Sequence, residues 1–254
     1  MTGTRFTVTT LVAAALALSP CVAQMEGAQP GQPHADWFGF YKLASGKDLA
    51  GFTPENQNLR PVVVAHLQPW ARIKMEQTNG VADDTGAICQ LKGFLRTQVI
   101  GGFLWMPAGS QILMVGESSS SGVRRIFLDR PHPKYPPPTW LGHSVGRWEG
   151  DTLVIDTVGF NDKTWLTLSM QPHTENLHTV ERIHPVAPGL LELRTVVEDR
   201  QALTSPYTFS RYYKLAGREM KEEVCAGEPG DMRMWSEWRQ KALRAGMVPL
   251  AKDR

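Results

Sequence analysis

The chain contains 254 residues, of which 42% are hydrophobic and 20% are charged, and its formal net charge is +2 at pH 7. This composition is sufficient for a sizeable hydrophobic core, and the length suits one large domain. The sequence has no basic block and no acidic tail, so nucleic acids and anionic membrane surfaces are not expected as partners.

Residues 1–23 have the pattern of a secretory signal peptide. Arg5 supplies a positive charge, residues 11–18 form a short apolar run, and small residues at 21–23 permit cleavage before Gln24. The apolar run is shorter than a membrane span. We therefore expect the segment to be removed and the mature protein to be periplasmic or secreted, without membrane contact.

A lipid-anchored protein is the alternative, with Cys21 as the modified residue, but Pro20 directly before this cysteine disfavours it. Residues 24–36 are rich in glycine, proline and glutamine, a composition that predicts a disordered leader. The remainder, residues 37–254, is predicted to form a single β-rich domain.

Cleavage of the signal would leave two of the 3 cysteines, Cys89 and Cys225. Two remaining cysteines in an oxidising compartment are expected to pair, so we predict a disulfide bond between them. Two free buried thiols are the alternative. The sequence contains no CxxC motif, which disfavours a redox role.

Strand and turn patterns dominate the chain after a first helix. That helix is predicted over residues 67–77, with Pro69 in its first turn, and the amphipathic segment 232–243 predicts a helix at the C-terminus. The proline-rich residues 131–138 predict an extended loop, because proline neither donates to a β-ladder nor continues a helix. Alternation and turn signals predict strands at 98–106, 110–117, 123–129, 144–148, 152–158, 178–184, 190–198, 207–215 and 219–225.

Successive hairpins without intervening helices predict a mainly β fold. We expect an antiparallel up-and-down barrel, or a strongly curved sheet, of about eight to ten strands with short N-terminal and C-terminal helices. A lipocalin-like barrel of this kind can hold one small ligand in its mouth.

The histidines indicate where chemistry takes place. Five of the 7 histidines lie close together in the sequence, interleaved with tryptophans, at positions 132, 143, 173, 178 and 184. Imidazole exchanges a proton near neutral pH, so the cluster predicts proton chemistry beside a hydrophobic or aromatic small molecule. His143, His173 and His178 are the predicted catalytic acid and base groups. His132 and His184 each neighbour a proline and are predicted to be exposed loop residues.

Two alternatives stand beside this interpretation. The three histidines could form a metal site, but the HxH and HExxH spacings are absent, so a metal-free and cofactor-free site is preferred. They could also be structural residues that are hydrogen-bonded within loops and strands.

Further side chains are predicted to contact the substrate. Asp156 interrupts an apolar strand, and if it is buried it needs a partner, for which Arg182 or Arg211 is available. Arg125 follows Arg124 on one strand, so the two should face opposite sides. The alternative for the aromatic residues is the core, and for the polar ones a turn. The predicted substrate contacts are Trp140, Trp148, Trp165, Tyr212, Arg125, Asp156, Asn161 and Asp162.

One segment resembles a known group of proteins. Residues 138–157 (PTWLGHSVGRWEGDTLVIDT), followed by GFND at 159–162, are similar to a large family of exported, mostly uncharacterised bacterial proteins. His173, His178 and the two cysteines also match family positions. The sequence QLKGFLRT after Cys89 departs from the proline-rich segment of the family.

The resemblance implies a link to the breakdown of lignin-type aromatic compounds, including lyase steps. The first hypothesis is therefore a cofactor-independent lyase or isomerase that acts on a phenolic molecule by histidine acid and base chemistry. The alternatives are a periplasmic barrel that binds an apolar ligand without chemistry, and a three-histidine metal-dependent enzyme.

Overall fold

The computed structural model describes residues 34, 37–80, 83–98, 102–217, 220, 223 and 225. Within these residues, nine strands form one closed barrel in which spatial order follows the chain. The predicted mainly β barrel with few helices is therefore confirmed. The predicted signal peptide and the helix at 232–243 lie outside the described residues, as does all of the 24–36 leader except His34.

The described elements have the following bounds. The helices are α1 (Leu59–His66), α2 (Pro69–Gln77) and the single turn α3 (Phe94–Thr97), with short 3-10 turns at Gly46–Leu49 and Thr85–Ile88. None of the described helices is long and apolar enough to cross a membrane. The strands are β1 (Gly39–Leu43), β2 (Gly102–Ala108), β3 (Gln111–Gly116), β4 (Val123–Leu128), β5 (His143–Glu149), β6 (Thr152–Val158), β7 (His178–Ala187), β8 (Leu190–Glu198) and β9 (Tyr207–Gly217).

Helix α2 confirms the predicted helix, and α1 was not predicted. Pro69 is the first residue of α2, where its missing N–H costs no hydrogen bond and its fixed φ suits a helix. Helix α1 carries Pro61 in its first turn. Its buried face, formed by Leu59 and Val63, packs against the barrel and stabilises the helix.

Strand pairing is antiparallel around the barrel except between β4 and β5, which are parallel with Ile126 opposite Ser144. A parallel pair cannot be joined by a tight hairpin and requires a crossover connection. The proline-rich residues 131–138 provide this crossover. The all-antiparallel expectation therefore differs from the structure at one pair.

One predicted strand bound also differs. Strand β2 begins at Gly102 rather than at residue 98, because Gln98 forms a turn directly after α3. Strand β9 pairs with β1, with Leu43 opposite Tyr213, and most of the strand predicted at 219–225 lies outside the described residues. The described residues of that segment, Met220, Glu223 and Cys225, are outside any strand.

Side chains fill the barrel from both ends. Near the hairpin end, alternate strand residues and Trp37 form one apolar cluster. At the other end, α1, α2 and α3 pack over the barrel and contribute Val63, Ala71 and Phe94 to a second cluster. The described interior of the barrel is therefore filled by two apolar clusters.

A buried ion pair lies on the interior face of the strands. Arg124 on β4 contacts Glu181 on β7, and the two residues are 3% and 1% exposed. Arg124 also donates to Ser144 Oγ at 2.9 Å and to Thr157 Oγ1 at 2.8 Å. Because each charge has a close partner, the pair is tolerated inside the core.

Cys89 and Cys225 form a disulfide bond across a sequence separation of 136 residues, as predicted. Cys89 follows the 3-10 turn Thr85–Ile88 and adopts a left-handed conformation there. The bond joins the segment before β2 to the segment after β9.

Candidate functional site

Four side chains on the outer wall of the barrel form a continuous hydrogen-bonded network, which we call the histidine network. His143 Nδ1 lies 2.9 Å from His132 Nδ1, and His132 Nε2 lies 2.9 Å from Asp156 Oδ1. The second oxygen of Asp156, Oδ2, lies 3.0 Å from His178 Nε2. One carboxylate thus bridges two histidines, and one of these contacts a third.

Strand register explains why these residues meet. Ile155 and Thr157 are buried inside the barrel, so Asp156 between them faces outward on β6. Val180 of β7 is paired directly with Asp156, which makes His178, two residues earlier, its diagonal neighbour. Diagonal neighbours on one face of a sheet are within reach of long side chains.

The crossover loop supplies the remaining member of the network. His143 is the first residue of β5 and shares its outward face with Val145, the partner of Asp156. His132 belongs to the segment that runs from β4 back to the start of β5. This route places the His132 ring between His143 and Asp156, where both of its nitrogens have partners.

The pKa directions divide the network into an acidic and a basic end. The hydrogen bond to Asp156 raises the pKa of His178 despite partial burial, and nearby Glu198 adds to this effect. Burial lowers the pKa of His143, and the neighbouring His132 and the positive charge of Arg130 lower it further. His178 therefore favours the protonated form, and His143 favours the neutral form.

Burial also acts on Asp156, whose pKa it would raise by itself. The hydrogen bonds that His178 and His132 donate, together with the charge of His178, outweigh this effect, so the pKa of Asp156 is lowered. The ionised carboxylate accepts from His132 Nε2, which leaves His132 Nδ1 to accept from His143 Nδ1. In this assignment, His143 Nε2 is the unprotonated nitrogen and can act as a base.

Aromatic contacts hold the base in position. The Phe127 ring is stacked with His143 at a centroid distance of 5.0 Å and an interplanar angle of 20°. The Arg130 guanidinium in turn lies 3.8 Å from the Phe127 centroid. The network remains partly open to solvent, with exposed fractions of 21% for His132 and 34% for His178.

His173 lies apart from this network. It is 2% exposed, its Nε2 bonds Thr164 Oγ1 at 2.7 Å, and its Nδ1 bonds the Thr174 carbonyl at 3.0 Å. Burial lowers its pKa. The structure therefore does not bring His143, His173 and His178 together, and His173 is placed as a buried hydrogen-bonding residue.

His132 is the member that sequence reasoning missed, although its placement in a loop was correct. Its proximity to His143 depends on the crossover, and the pairing of β4 with β5 has no local sequence signal. His184 lies on the outer face of β7, where its Nε2 is 3.4 Å from Glu192.

Asp156 has partners other than the predicted ones. Arg182 binds Glu149 at 2.9 Å, and Arg211 donates to backbone carbonyls. The expectation that either arginine would neutralise Asp156 is wrong, because both point to other groups. The partners of Asp156 are His132 and His178.

The other predicted substrate contacts are dispersed over the molecule. Trp148 stacks with His34 at 3.7 Å near the hairpin end of the barrel. Trp165 donates to the Asp83 carbonyl at 3.2 Å, and Asn161 accepts from Lys163 N in a turn. Arg125 and Asp162 are exposed, and Trp140 is half-buried. Tyr212 lines a separate cleft.

Across the residues that the structure describes, no group of three His, Cys, Asp or Glu side chains is arranged to hold a metal ion. A search of protein-family models and of curated proteins found no match to this chain. The arrangement of the histidine network is thus the main basis for a functional assignment.

Proposed function

We propose that the protein is a cofactor-independent lyase or isomerase that acts on a phenolic, lignin-type small molecule at the histidine network. The observation that carries this proposal is the Asp156 bridge, which links a histidine with raised pKa to one with lowered pKa through His132. Two titratable groups whose environments separate their pKa values are suited to act as acid and base.

The chemistry follows from these roles. His143 Nε2 removes the proton of a substrate hydroxyl, and the resulting imidazolium is stabilised through His132 by the Asp156 carboxylate. The oxygen forms a carbonyl as the adjacent C–C bond breaks, and the released electron pair stays on the leaving carbon. Protonated His178 supplies a proton to that carbon. A proton then returns from His143 to His178 through solvent, which balances the cycle without an oxidant.

We further propose that the reaction takes place in the periplasm or outside the cell. The signal-like sequence of residues 1–23 supports export, and the Cys89–Cys225 disulfide is consistent with an oxidising compartment.

The experiment is incubation of the purified protein with phenolic dimers that carry a hydroxyl next to the cleavable bond, followed by mass spectrometry. His143→Gln and His178→Gln are expected to lower turnover by about 100-fold or more, the usual contribution of acid and base groups. His184→Gln is the matched control, because it removes an outer-face histidine that contacts Glu192 and lies outside the histidine network. Full activity in both network variants would contradict the proposal.

A carrier that binds an apolar ligand without chemistry is the second candidate. It is favoured by a cleft of about 370 Å³ beside Tyr212, within the size range of small-molecule sites. Saturable binding without any product, and without an effect of the histidine substitutions, would support the carrier instead.

A further inference from the structure

A cleft lies at the helix-capped end of the barrel, on a different part of the molecule from the histidine network. It has a volume of about 370 Å³ and is bounded by the start of α1, the end of β1, β9 and the loop at 167–169. Its wall is largely apolar, with Leu43, Leu49, Leu168 and Tyr212, and no acidic side chain contributes to it.

One buried cation also lines this cleft. Arg211 on β9 is 5% exposed, and its guanidinium donates to the carbonyls of Ser210 at 2.7 Å and Gln57 at 3.1 Å. Carbonyl dipoles solvate the charge but do not neutralise it. Burial lowers the pKa of Arg211, which reflects the cost of holding this charge away from water.

Two other arginines are buried among the residues that the structure describes, and each is paired with a carboxylate. Arg96 is 2% exposed and binds Asp84 through two hydrogen bonds of 2.8 and 2.9 Å. Arg124 is paired with Glu181. Among the described residues, Arg211 has no carboxylate at ion-pair distance, and it lines this cleft.

The start of α1 adds to this preference for an anion. Asn58, Leu59 and Arg60 line the cleft, and the Asn58 side chain makes no capping hydrogen bond. The N–H groups in a first helical turn have no acceptor within the helix, and the helix dipole places partial positive charge there. Arg60 adds an exposed cation at the same rim.

We propose that this cleft binds a small molecule that has an apolar body and one carboxylate. The carboxylate of the ligand pairs with Arg211 of β9 and lies beside the start of α1. The apolar body of the ligand lies against Leu49, Leu168 and Tyr212. The site is separate from the histidine network, whose residues do not line it.

The test is isothermal titration of the full-length protein with 4-hydroxybenzoate and with 4-hydroxybenzamide, which differ only in the charged group. We expect the acid to bind at least tenfold more tightly than the amide, because hydrogen bonds to charged groups are the stronger ones. Arg211→Gln should remove this preference. Leu168→Trp should block the cleft for both probes, and Leu168 is 54% exposed, so the core is not disturbed.

Arg182→Gln is the matched control, because it removes an exposed arginine on the outer face of β7 and should leave affinity unchanged. His143→Gln should also bind the acid normally, so failure here is distinguishable from failure of the enzymatic proposal. If circular dichroism shows that Arg211→Gln does not fold, the affinities of Arg60→Gln and Leu168→Trp for the acid and the amide test the proposal instead. Equal affinity for acid and amide, absence of binding at millimolar concentration, or unchanged affinity in Leu168→Trp would overturn the proposal.

Discussion

Replacing Asp156 with asparagine removes the charge at the centre of the histidine network and should make stability depend on pH in a defined way. Asp156 and His178 are 31% and 34% exposed, so solvent screens part of their attraction. Hydrogen bonds to charged groups contribute about 1.5–3 kcal/mol when buried. With this screening, we expect Asp156→Asn to lower the free energy of unfolding by about 1–2 kcal/mol near pH 5.5.

The sign follows from linkage. The raised pKa of His178 gives stability that is fully present below its unfolded value of about 6.5 and is lost as pH rises through the folded pKa. The lowered pKa of Asp156 gives stability that is present above its unfolded value of about 3.9 and is lost as pH falls through the folded pKa. The stability difference between wild type and variant should therefore be largest between these values and should shrink above neutral pH.

The assay is urea denaturation of wild type and Asp156→Asn at pH 5.5 and pH 8.5, with Asp151→Asn as the control. Asp151 is an exposed aspartate in the β5–β6 turn, so its substitution should change stability little at either pH. Histidine NMR titration in Asp156→Asn should also show a lower pKa for His178. A stability difference that is the same at both pH values would refute the reasoning.

Two further predictions concern the buried ion pair and the disulfide bond. Glu181→Gln leaves Arg124 buried without its counter-charge and should lower the free energy of unfolding by about 3–5 kcal/mol, whereas exposed Glu175→Gln should have little effect in the same urea titration. Replacing both Cys89 and Cys225 with serine opens a link across 136 residues and should cost about 2–5 kcal/mol. Thermal unfolding with and without reductant checks this, and reductant should lower the stability of wild type but leave the serine variant unchanged.

His173 tests the sequence-based choice of catalytic residues. Because both ring nitrogens are engaged in the interior, His173→Gln should lower the folded fraction but leave turnover per folded molecule unaltered. Circular dichroism together with turnover by mass spectrometry separates the two effects, with His184→Gln as the exposed counterpart. A large loss of turnover in fully folded His173→Gln would instead support a catalytic role.

Local patterns were sufficient for the elements that depend on local physics. Strand β6 has the predicted bounds because its alternation and the flanking turns are both encoded within a few residues. Pro69 marked the start of α2 for the same reason. The disulfide was predictable because the choice of partners was reduced to one pair.

The histidine network was only partly predictable. Asp156, His143 and His178 were selected for their residue types. His132, the remaining member of the network, was assigned no role, and His173 was chosen in its place. The contacts of His132 depend on which strands are neighbours after a proline-rich crossover. No spacing in a single sequence encodes that pairing. Helix α1 was missed because its stability comes from packing against the barrel, while its own sequence is interrupted by Pro61.

The parallel β4–β5 pair has a consequence for the closure of the barrel. Around any closed ring of strands, direction must return to its starting value, so the number of antiparallel junctions must be even. Nine strands have nine junctions. If the eight junctions between successive strands were all antiparallel, β1 and β9 would run parallel to each other. One parallel junction restores the parity and allows β1 and β9 to pair antiparallel. An odd-numbered ring thus requires a parallel junction, and in this protein the junction lies at β4–β5, where the proline-rich crossover also places His132 on the outer wall.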